Sequence, residues 1–377
     1  MPAQQTRQMG IAEGTESGLA ALRWLEPPDG PAIELLDQTR LPAEEAYLTC
    51  TDVPQLVDAI RRLAVRGAPL LGVAGAYGVA LAACRGDDVA AAAAAIAAAR
   101  PTAVNLGWGV TRALQSYRSV AGGQVPVSGL ENAAMATLEE ARAIAAEDAA
   151  ASAAMAGHGL TLVPPGARIL THCNTGGLVS AGAGTAFAVI LAAHRSGKLA
   201  RLWVDETRPL LQGARLTAWE AGRAGIPHSL LADNAAASLL AAGQVDLILT
   251  GADRIAADGS VANKVGTYGL AVLARHHGVP FVVVAPVSTV DFETPDGAGI
   301  AVEHRPAEEV TMLAGHQVAP AGTEAYNPAF DVTPPDLVTA LVTEQGVIQP
   351  VTAGNLRVLS VSADAVAAPQ AALYVER

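Results

Sequence analysis

The 377-residue sequence has few cysteines, few charges and few aromatic residues. Its three cysteines, Cys50, Cys84 and Cys173, lie far apart and without metal-type spacing, so the sequence predicts neither a disulfide framework nor a zinc site. A chain without disulfides is expected in a reducing cytoplasm. Charged residues make up 16% and hydrophobic residues 51%, which is typical of a globular protein and excludes a disordered one.

Basic residues are also scarce, with 24 Lys and Arg against 36 Asp and Glu and a net charge of -12. This acidity argues against broad binding to nucleic acid or to anionic membranes. It is compatible with a small phosphorylated ligand, which needs only a local group of donors. The N-terminus lacks the apolar core of a signal peptide, and no apolar run without breakers reaches the length of a membrane span.

The order of apolar runs predicts an α/β protein. Residues 1–20 are expected to be a flexible extension, 21–162 a mainly helical N-terminal domain, 163–353 a catalytic domain and 354–377 a tail. In the second domain, continuous apolar strands alternate with helices, which predicts a parallel sheet covered on both faces. The expected helices are Gly182–Arg195, Pro209–Ala224, Asn234–Ala241 and Lys264–His277.

The stretch ARILTHCNTGGLVSAGAGT, from Ala167 to Thr185, is typical of a buried strand, a glycine-rich turn and a helix. It places Cys173 at the carboxyl end of a strand, near the positive end of the next helix, which favours the thiolate form. The amides of the turn could hold an anion such as phosphate. Alternatively, Cys173 is a small core residue, and the glycine spacing fits neither a Walker A motif nor G-x-G-x-x-G.

Asp253 closes a second apolar strand, VDLILT, and is expected at the same edge of the sheet as Cys173. A carboxyl group partly out of water there would have a raised pKa and could donate a proton near neutral pH. The alternative is a side chain that caps a turn. Asn263 and Lys264 are expected to open a helix and hold phosphate, or else to be surface residues.

A second group of residues is predicted to contact an anion. Arg66, Gly67 and Ala68 precede Pro69 at the start of a helix, which predicts either an arginine with free amides around a phosphate or a solvated helix start. Arg100 is a second anion contact, or a charge that interacts with the dipole at a helix end. Gln212 follows the DETRP loop and is expected on the same rim.

Several of these segments together resemble the methylthioribose-1-phosphate isomerase family, which is related to the regulatory subunits of translation initiation factor 2B. The resemblance rests on RGAPLLGVAGAYG, RPTAVNLGW, THCNTGGLVSAGAGTA, VDETRPLLQGARLTAWE and GADRIAADGSVANKVGTYGLA, in this order, and covers roughly Leu22 to Thr352. It implies a Rossmann-like second domain, a homodimer, no cofactor, and isomerisation of 5-methylthioribose 1-phosphate. It also implies catalytic roles for Cys173 and Asp253 and substrate contacts at Arg66, Gly67, Ala68, Arg100, Gln212, Asn263 and Lys264.

The sequence departs from the family pattern at Gly75, Gly107 and Gly177, where larger residues are common. These glycines leave open how much space the 5-substituent of the sugar has. Two alternatives therefore remain: an isomerase of 5-deoxyribose 1-phosphate or ribose 1,5-bisphosphate, and a non-catalytic regulatory subunit. A nicotinamide dehydrogenase is disfavoured because the G-x-G-x-x-G motif is missing.

Overall fold

The structure is a computed structural model that describes residues 20–100, 102–122 and 127–359. The predicted N-terminal extension lies almost wholly outside the described residues, as does most of the predicted tail.

The N-terminal part combines a small antiparallel sheet with five helices. The strands are β1 (Leu22–Leu25), β2 (Ala32–Leu36) and β3 (Tyr47–Cys50), and the helices are α1 (Val53–Arg61), α2 (Ala68–Arg85), α3 (Val89–Ala97), α4 (Val104–Ala121) and α5 (Val127–Leu160). Asp52 caps α1 by accepting a hydrogen bond from the Gln55 amide at 2.9 Å. By length and composition α2 could cross a membrane, but it is a core helix, almost entirely buried against α4 and α5.

The second part is built on a seven-stranded sheet in the order β16-β15-β10-β7-β4-β5-β6. All neighbouring strands run parallel except β16, which is antiparallel to β15. The strands are β4 (Ala167–Thr171), β5 (Leu199–Asp205), β6 (His228–Leu231), β7 (Leu247–Thr250), β10 (Phe281–Val284), β15 (Ala340–Thr343) and β16 (Gly346–Ile348).

Helices cover both faces of this sheet. They are α6 (Ala186–Arg195), α7 (Ala218–Arg223), α8 (Ala236–Ala241) and α9 (Thr267–His277). Successive strand residues point to opposite faces of the sheet. Ile169, for example, packs with α5, α6 and α7, whereas Leu170 packs with α8 and α9. The predicted α/β class, with a helical N-terminal region and a mainly parallel sheet, is confirmed.

A four-stranded sheet in the order β11-β8-β9-β14 was not predicted. Its strands are β8 (Arg254–Ala256), β9 (Val261–Lys264), β11 (Val290–Asp291) and β14 (Phe330–Thr333), and the remaining short elements are α10 (Glu308–Thr311), β12 (Met312–Leu313) and β13 (His316–Gln317). The prediction that Asn263 and Lys264 open a helix is wrong. They end β9, because residues 261–264 pair antiparallel with β14, and α9 begins only at Thr267.

Two other predicted helices differ from the structure. The helix expected from Gly182 is preceded by a short 3-10 turn at Gly177–Val179 and begins at Ala186, after Gly184 with a φ of 102°. The helix expected from Pro209 begins with a π-helical turn at Gly213–Thr217 and continues as α7. The proposed domain boundaries stay a prediction, since α5 packs against both the helical core and the sheet.

Candidate functional site

One cavity at the carboxyl ends of the parallel strands brings all the predicted site residues together. The predicted residues that line it are Arg66, Gly67, Ala68, Arg100, Cys173, Gln212, Asp253, Asn263 and Lys264. They come from the start of α2, the segment before α4, the turns after β4, β5 and β7, and the end of β9. This convergence is expected of parallel strands, whose carboxyl ends meet at one edge of the sheet.

Cys173 is held in an uncommon backbone conformation. Its φ is 66°, in the left-handed region that costs a non-glycine residue roughly 1–3 kcal/mol. Two buried threonines fix this conformation: the Cys173 amide donates to Thr207 Oγ1 at 2.8 Å, and Thr217 Oγ1 donates to the Cys173 carbonyl at 2.6 Å. This backbone conformation places the half-buried Cys173 thiol at the cavity.

The positive partner of the thiol differs from the expected one. Arg66 Nη2 lies 3.8 Å from Cys173 Sγ, whereas the helix that follows in sequence starts at Ala186, thirteen residues later. Arg66 as a residue is 7% exposed, so solvent screens its charge little. A side chain from the helical part of the chain therefore supplies the charge that the sequence analysis assigned to a helix dipole.

Asp253 follows β7 and is fixed by its own backbone, whose amide donates to the Ala262 carbonyl at 2.9 Å. Burial raises the pKa of its carboxyl, and the positive charges of Lys264, Arg100 and Arg66 oppose this rise. Burial lowers the pKa of Lys264, which the charges of Cys173 and Asp253 oppose. The site thus holds a carboxyl group suited to donate a proton, as its position at a strand end predicted.

The start of α2 is pressed against the turn that follows Cys173. Gly67 has a φ of 93°, and a Cβ there would collide with the side chain of Val179. Only glycine adopts this φ readily and also leaves room for the Val179 side chain. The close approach places the first turn of α2, with its unpaired amides, at the cavity.

Two buried polar atoms in the cavity have no hydrogen-bond partner within the described part of the chain. They are Gln212 Oε1 and Arg100 Nε. Another nitrogen of Arg100 pairs with Glu303 at 3.4 Å, and Asn263 Nδ2 donates to Thr267 Oγ1 at 2.9 Å. Because buried polar groups are normally satisfied, the two free atoms indicate a polar ligand in the cavity.

Two amides of the glycine-rich turn, which the sequence predicts could hold an anion, donate to carboxylates of the protein itself. Glu220, on α7, fills the space beside Gly176, and its carboxylate accepts from the Leu178 amide at 3.1 Å. At the far end of the turn, Asp148 Oδ2 accepts from the Ala181 amide at 2.6 Å. The glycines make room for one of the protein's own carboxylates.

Among residues 20–359, leaving out 101 and 123–126, the one group of side chains spaced to hold a metal is His172, Asp205 and Asp233. Its atoms are already engaged. His172 Nδ1 lies 3.0 Å from Asp205 Oδ2, and its Nε2 lies 2.9 Å from the Val265 carbonyl. The Val265 carbonyl can only accept, so Nε2 carries a hydrogen and cannot bind a metal. With Nδ1 occupied by Asp205, the ring has both nitrogens in hydrogen bonds and does not fit a metal site.

The pKa of His172 is determined by its burial and by the carboxylates beside it. Burial by itself would lower the pKa of His172, but Asp205 and Asp233 outweigh it and raise that pKa overall. The oxygens of Asp233 accept from the backbone amides of Thr207 and Arg208, both at 2.7 Å. The cluster therefore connects the turns that follow β4, β5 and β6.

Three side chains at or next to the cavity were not predicted from the sequence. Arg305 lines the cavity, while Glu220 and His172 lie behind it. A lone acid in the apolar run LTAWEAG and a histidine directly before Cys173 were the signals that could have found two of them. The glycines expected to shape the substrate's space, Gly75, Gly107 and Gly177, are not among the described residues that line the cavity.

Known proteins with similar sequences identify the family to which the chain belongs. The profile of the "Initiation factor 2 subunit family" matches residues 64–350. A "Methylthioribose-1-phosphate isomerase" of Pelotomaculum thermopropionicum is 50% identical over 351 residues, which cover 90% of this chain and 93% of the relative.

Two solved structures are similar over nearly the whole chain. The "5-methylthioribose 1-phosphate isomerase from Pyrococcus horikoshii OT3" has a TM-score of 0.83 and 39% identity, covering 94% of this chain and 100% of the other. The "translation initiation factor eIF-2B, subunit delta, from A. fulgidus" has a TM-score of 0.75 and 40% identity, covering 90% of this chain and 99% of the other. The chain belongs to the initiation factor 2 subunit family and, within it, to the methylthioribose-1-phosphate isomerase family.

Proposed function

We propose that this chain is a cofactor-independent aldose–ketose isomerase that converts 5-methylthioribose 1-phosphate to 5-methylthioribulose 1-phosphate in methionine salvage. The observation that carries the proposal is the meeting of Cys173 and Asp253 in one cavity with the cationic groups of Arg66 and Lys264. The names of the relatives support the same reaction.

The phosphate is bound where the positive groups lie. The guanidinium of Arg66, the first turn of α2 at Gly67 and Ala68, and Lys264 surround one side of the cavity. Charge-assisted hydrogen bonds from such groups suit a dianion. Gln212 and Arg100, each with a buried atom unpaired within the described part of the chain, bind oxygens of the sugar.

Asp253 opens the sugar ring. A sugar with phosphate on carbon 1 has no free anomeric hydroxyl, so the bond between the ring oxygen and carbon 1 must be broken by the enzyme. Burial raises the pKa of Asp253, which favours the protonated carboxyl that donates to the ring oxygen. Asp253 is half-buried and lines the cavity, where a bound sugar can reach its carboxyl group.

Cys173 then moves a proton. As thiolate it removes the proton from carbon 2, which forms an enol phosphate as the ring opens, and it then returns this proton to carbon 1. The 2-hydroxyl gives its proton to the Asp253 carboxylate, which restores that acid and leaves a ketone at carbon 2. The guanidinium of Arg66 lies beside the reacting sulfur, with Nη2 3.8 Å from Sγ. A hydride shift from carbon 2 to carbon 1 is the alternative route, and solvent deuterium at carbon 1 of the ketose distinguishes the two, since only the proton route incorporates it.

The first test is turnover of three sugar phosphates by the purified protein. We expect the highest kcat/KM on 5-methylthioribose 1-phosphate, a lower value on 5-deoxyribose 1-phosphate and the lowest on ribose 1,5-bisphosphate. Four cations line the cavity, but Arg100 and Arg305 are paired with Glu303, which leaves Arg66 and Lys264 for a single phosphate. Ligand binding without turnover of any of the three would favour a non-catalytic regulatory subunit. One structural relative is named as the delta subunit of translation initiation factor eIF-2B.

Substitution of the two reacting groups tests their roles. Cys173→Ser and Asp253→Asn should each lower kcat by about a hundred- to ten-thousandfold, the usual contribution of a general acid or base, and change substrate affinity little. Cys84→Ser is the matched control, because Cys84 is exposed and outside the cavity. Near-normal turnover in both active-site variants would contradict the assignment.

The proposal includes a cytoplasmic homodimer with a small sugar phosphate as its partner and no nucleic acid or membrane. The net charge of -12 supports the last part. Light scattering after gel filtration measures the oligomeric state, and a monomer at micromolar concentration would contradict the dimer.

A further inference from the structure

The proposed reaction does not use Glu220, the carboxylate that fills the glycine-rich turn. Glu220 is 8% exposed and is not among the described residues that line the cavity. Its Oε2 accepts a hydrogen bond from Asn174 Nδ2 at 2.5 Å, and its Oε1 accepts from the Leu178 amide at 3.1 Å. Both oxygens thus act as acceptors, which suits the ionised carboxylate, since a proton on either oxygen would occupy one of its lone pairs.

Asn174 connects this carboxylate to the reacting thiol. Its Oδ1 accepts from Arg66 Nη1 at 3.4 Å, and Arg66 Nη2 lies 3.8 Å from Cys173 Sγ. A carboxamide has its oxygen and its NH2 group on opposite branches, so one strong acceptor on the NH2 side determines where the oxygen points. The chain of contacts therefore runs from Glu220 through Asn174 to Arg66.

We propose that Glu220 is a positioning residue that, in its ionised form, orients Asn174 and thereby holds the Arg66 guanidinium beside the Cys173 thiol. When Glu220 is protonated, the carboxamide of Asn174 loses its ionised acceptor and keeps only the longer hydrogen bond from Nδ2 to Thr217 Oγ1 at 3.3 Å, which holds it less firmly. Arg66 then loses the oxygen that fixes it. The thiol consequently reacts faster when Glu220 is ionised.

The ionisation of Glu220 falls in the neutral range. Burial raises its pKa to about 7, while the hydrogen bonds from Asn174 and Leu178 and the charge of Arg66 oppose this rise. The other titratable or charged groups on the surrounding elements are engaged elsewhere: Arg215 with the carbonyls of Leu210, Gln38 and Leu41, Arg223 with Glu45, His228 with Ile226, and Asp148 with Ser180 and Ala181. The positioning is thus complete above neutral pH and lost below it.

Alkylation of Cys173 by iodoacetamide, followed by peptide mapping to separate it from Cys50 and Cys84, tests this directly. At pH 8 we expect Glu220→Gln to slow alkylation of Cys173 about 3- to 10-fold relative to the wild type. At pH 6, where the wild-type carboxyl is itself protonated, the two rates should converge. If Glu220 acted only through its charge, Glu220→Gln would speed the alkylation of Cys173, because removal of a negative charge favours the thiolate.

The matched control is Asp148→Asn, which removes a half-buried carboxylate from the other end of the same turn and contacts neither Asn174 nor Arg66 in the described hydrogen bonds. Its ratio to the wild type should not change between pH 6 and pH 8. The proposal is overturned if Glu220→Gln reacts as fast as the wild type at pH 8, if it is slowed equally at both pH values, or if Asp148→Asn reproduces its pattern. Should Glu220→Gln fail to fold, Asn174→Ala decides, with the same slowing at pH 8 expected and an unchanged rate contradicting the proposal.

A second readout is the pH profile of kcat/KM on 5-methylthioribose 1-phosphate, which rests on the proposed isomerase function. Glu220→Gln should flatten the part of the rise that is centred near pH 7. Alkylation needs no substrate. A wild-type protein without turnover would contradict the proposed function and leave the alkylation test of Glu220 intact.

Discussion

The start of α2 and the glycine-rich turn after Cys173 look alike in sequence and differ in structure. Each combines glycine with a run of backbone amides, the pattern that predicts an anion site. At Gly67 and Ala68 the amides lie at the cavity. In the turn, the Leu178 and Ala181 amides donate to Glu220 and Asp148. A glycine-rich turn therefore indicates an anion, but a carboxylate from a distant part of the same chain can be that anion.

The difference between the two regions depends on Gly67, and Gly67→Ala is the change with the largest expected effect. A Cβ there meets the side chain of Val179 and must be accommodated at a φ of 93°. We expect a loss of about 3 kcal/mol in the free energy of unfolding, from backbone strain and overpacking together. Displacement of Arg66 should lower kcat/KM by about a hundredfold. Chemical denaturation and steady-state kinetics measure the two effects.

Gly86→Ala at the other end of α2 is the control. Gly86 has a φ of 74°, but a Cβ added to it meets nothing within 4 Å. Its cost should be the backbone strain alone, about 1 kcal/mol, with kcat/KM unchanged. Equal losses of stability and activity in the two variants would mean that the contact between Gly67 and Val179 does not organise the site.

The same contrast explains what could be predicted from the sequence. Cys173 and Asp253 could be placed together because each follows an apolar strand of a parallel sheet, where strand direction determines which edge a residue occupies. Lys264 was assigned to a helix because its strand is defined by pairing with β14, more than sixty residues later. Glu220 and Arg305 reach the site only through tertiary packing, which no local pattern encodes.

Glu220→Gln should change the stability of the protein in a pH-dependent way. The pKa of Glu220 is raised from 4.5 in the unfolded chain to about 7 in the folded protein. The folded state therefore holds the proton more tightly, and this group's contribution is fully present below pH 4.5 and lost as pH rises through about 7. Between pH 5 and pH 8 the wild type should lose about 2 to 3 kcal/mol relative to the glutamine variant.

Denaturant titrations of both proteins at several pH values measure this difference. Asp246→Asn is a suitable control. Its hydrogen bond from Arg168 lowers the pKa of Asp246, so the linked stability is lost only in acid, below the range tested. Parallel stability curves for the wild type and Glu220→Gln would show that the buried carboxyl does not titrate near neutrality, and the turn would then be held by a permanently charged anion.

The smallest effect is expected at Gly107, on α4, which the sequence analysis connected with the size of the sugar's 5-substituent. A Cβ at Gly107 meets nothing within 4 Å, and the residue does not line the cavity. Gly107→Ala should therefore stabilise the helix by up to about 1 kcal/mol and leave the ratio of kcat/KM for the methylthio and deoxy sugars within about twofold of the wild type. Gly109→Ala, two residues later, should destabilise the protein, because its Cβ would overlap the backbone of Gly72. A large change in substrate preference at Gly107 would mean that α4 moves toward the cavity when substrate binds, since the structure gives it no direct contact.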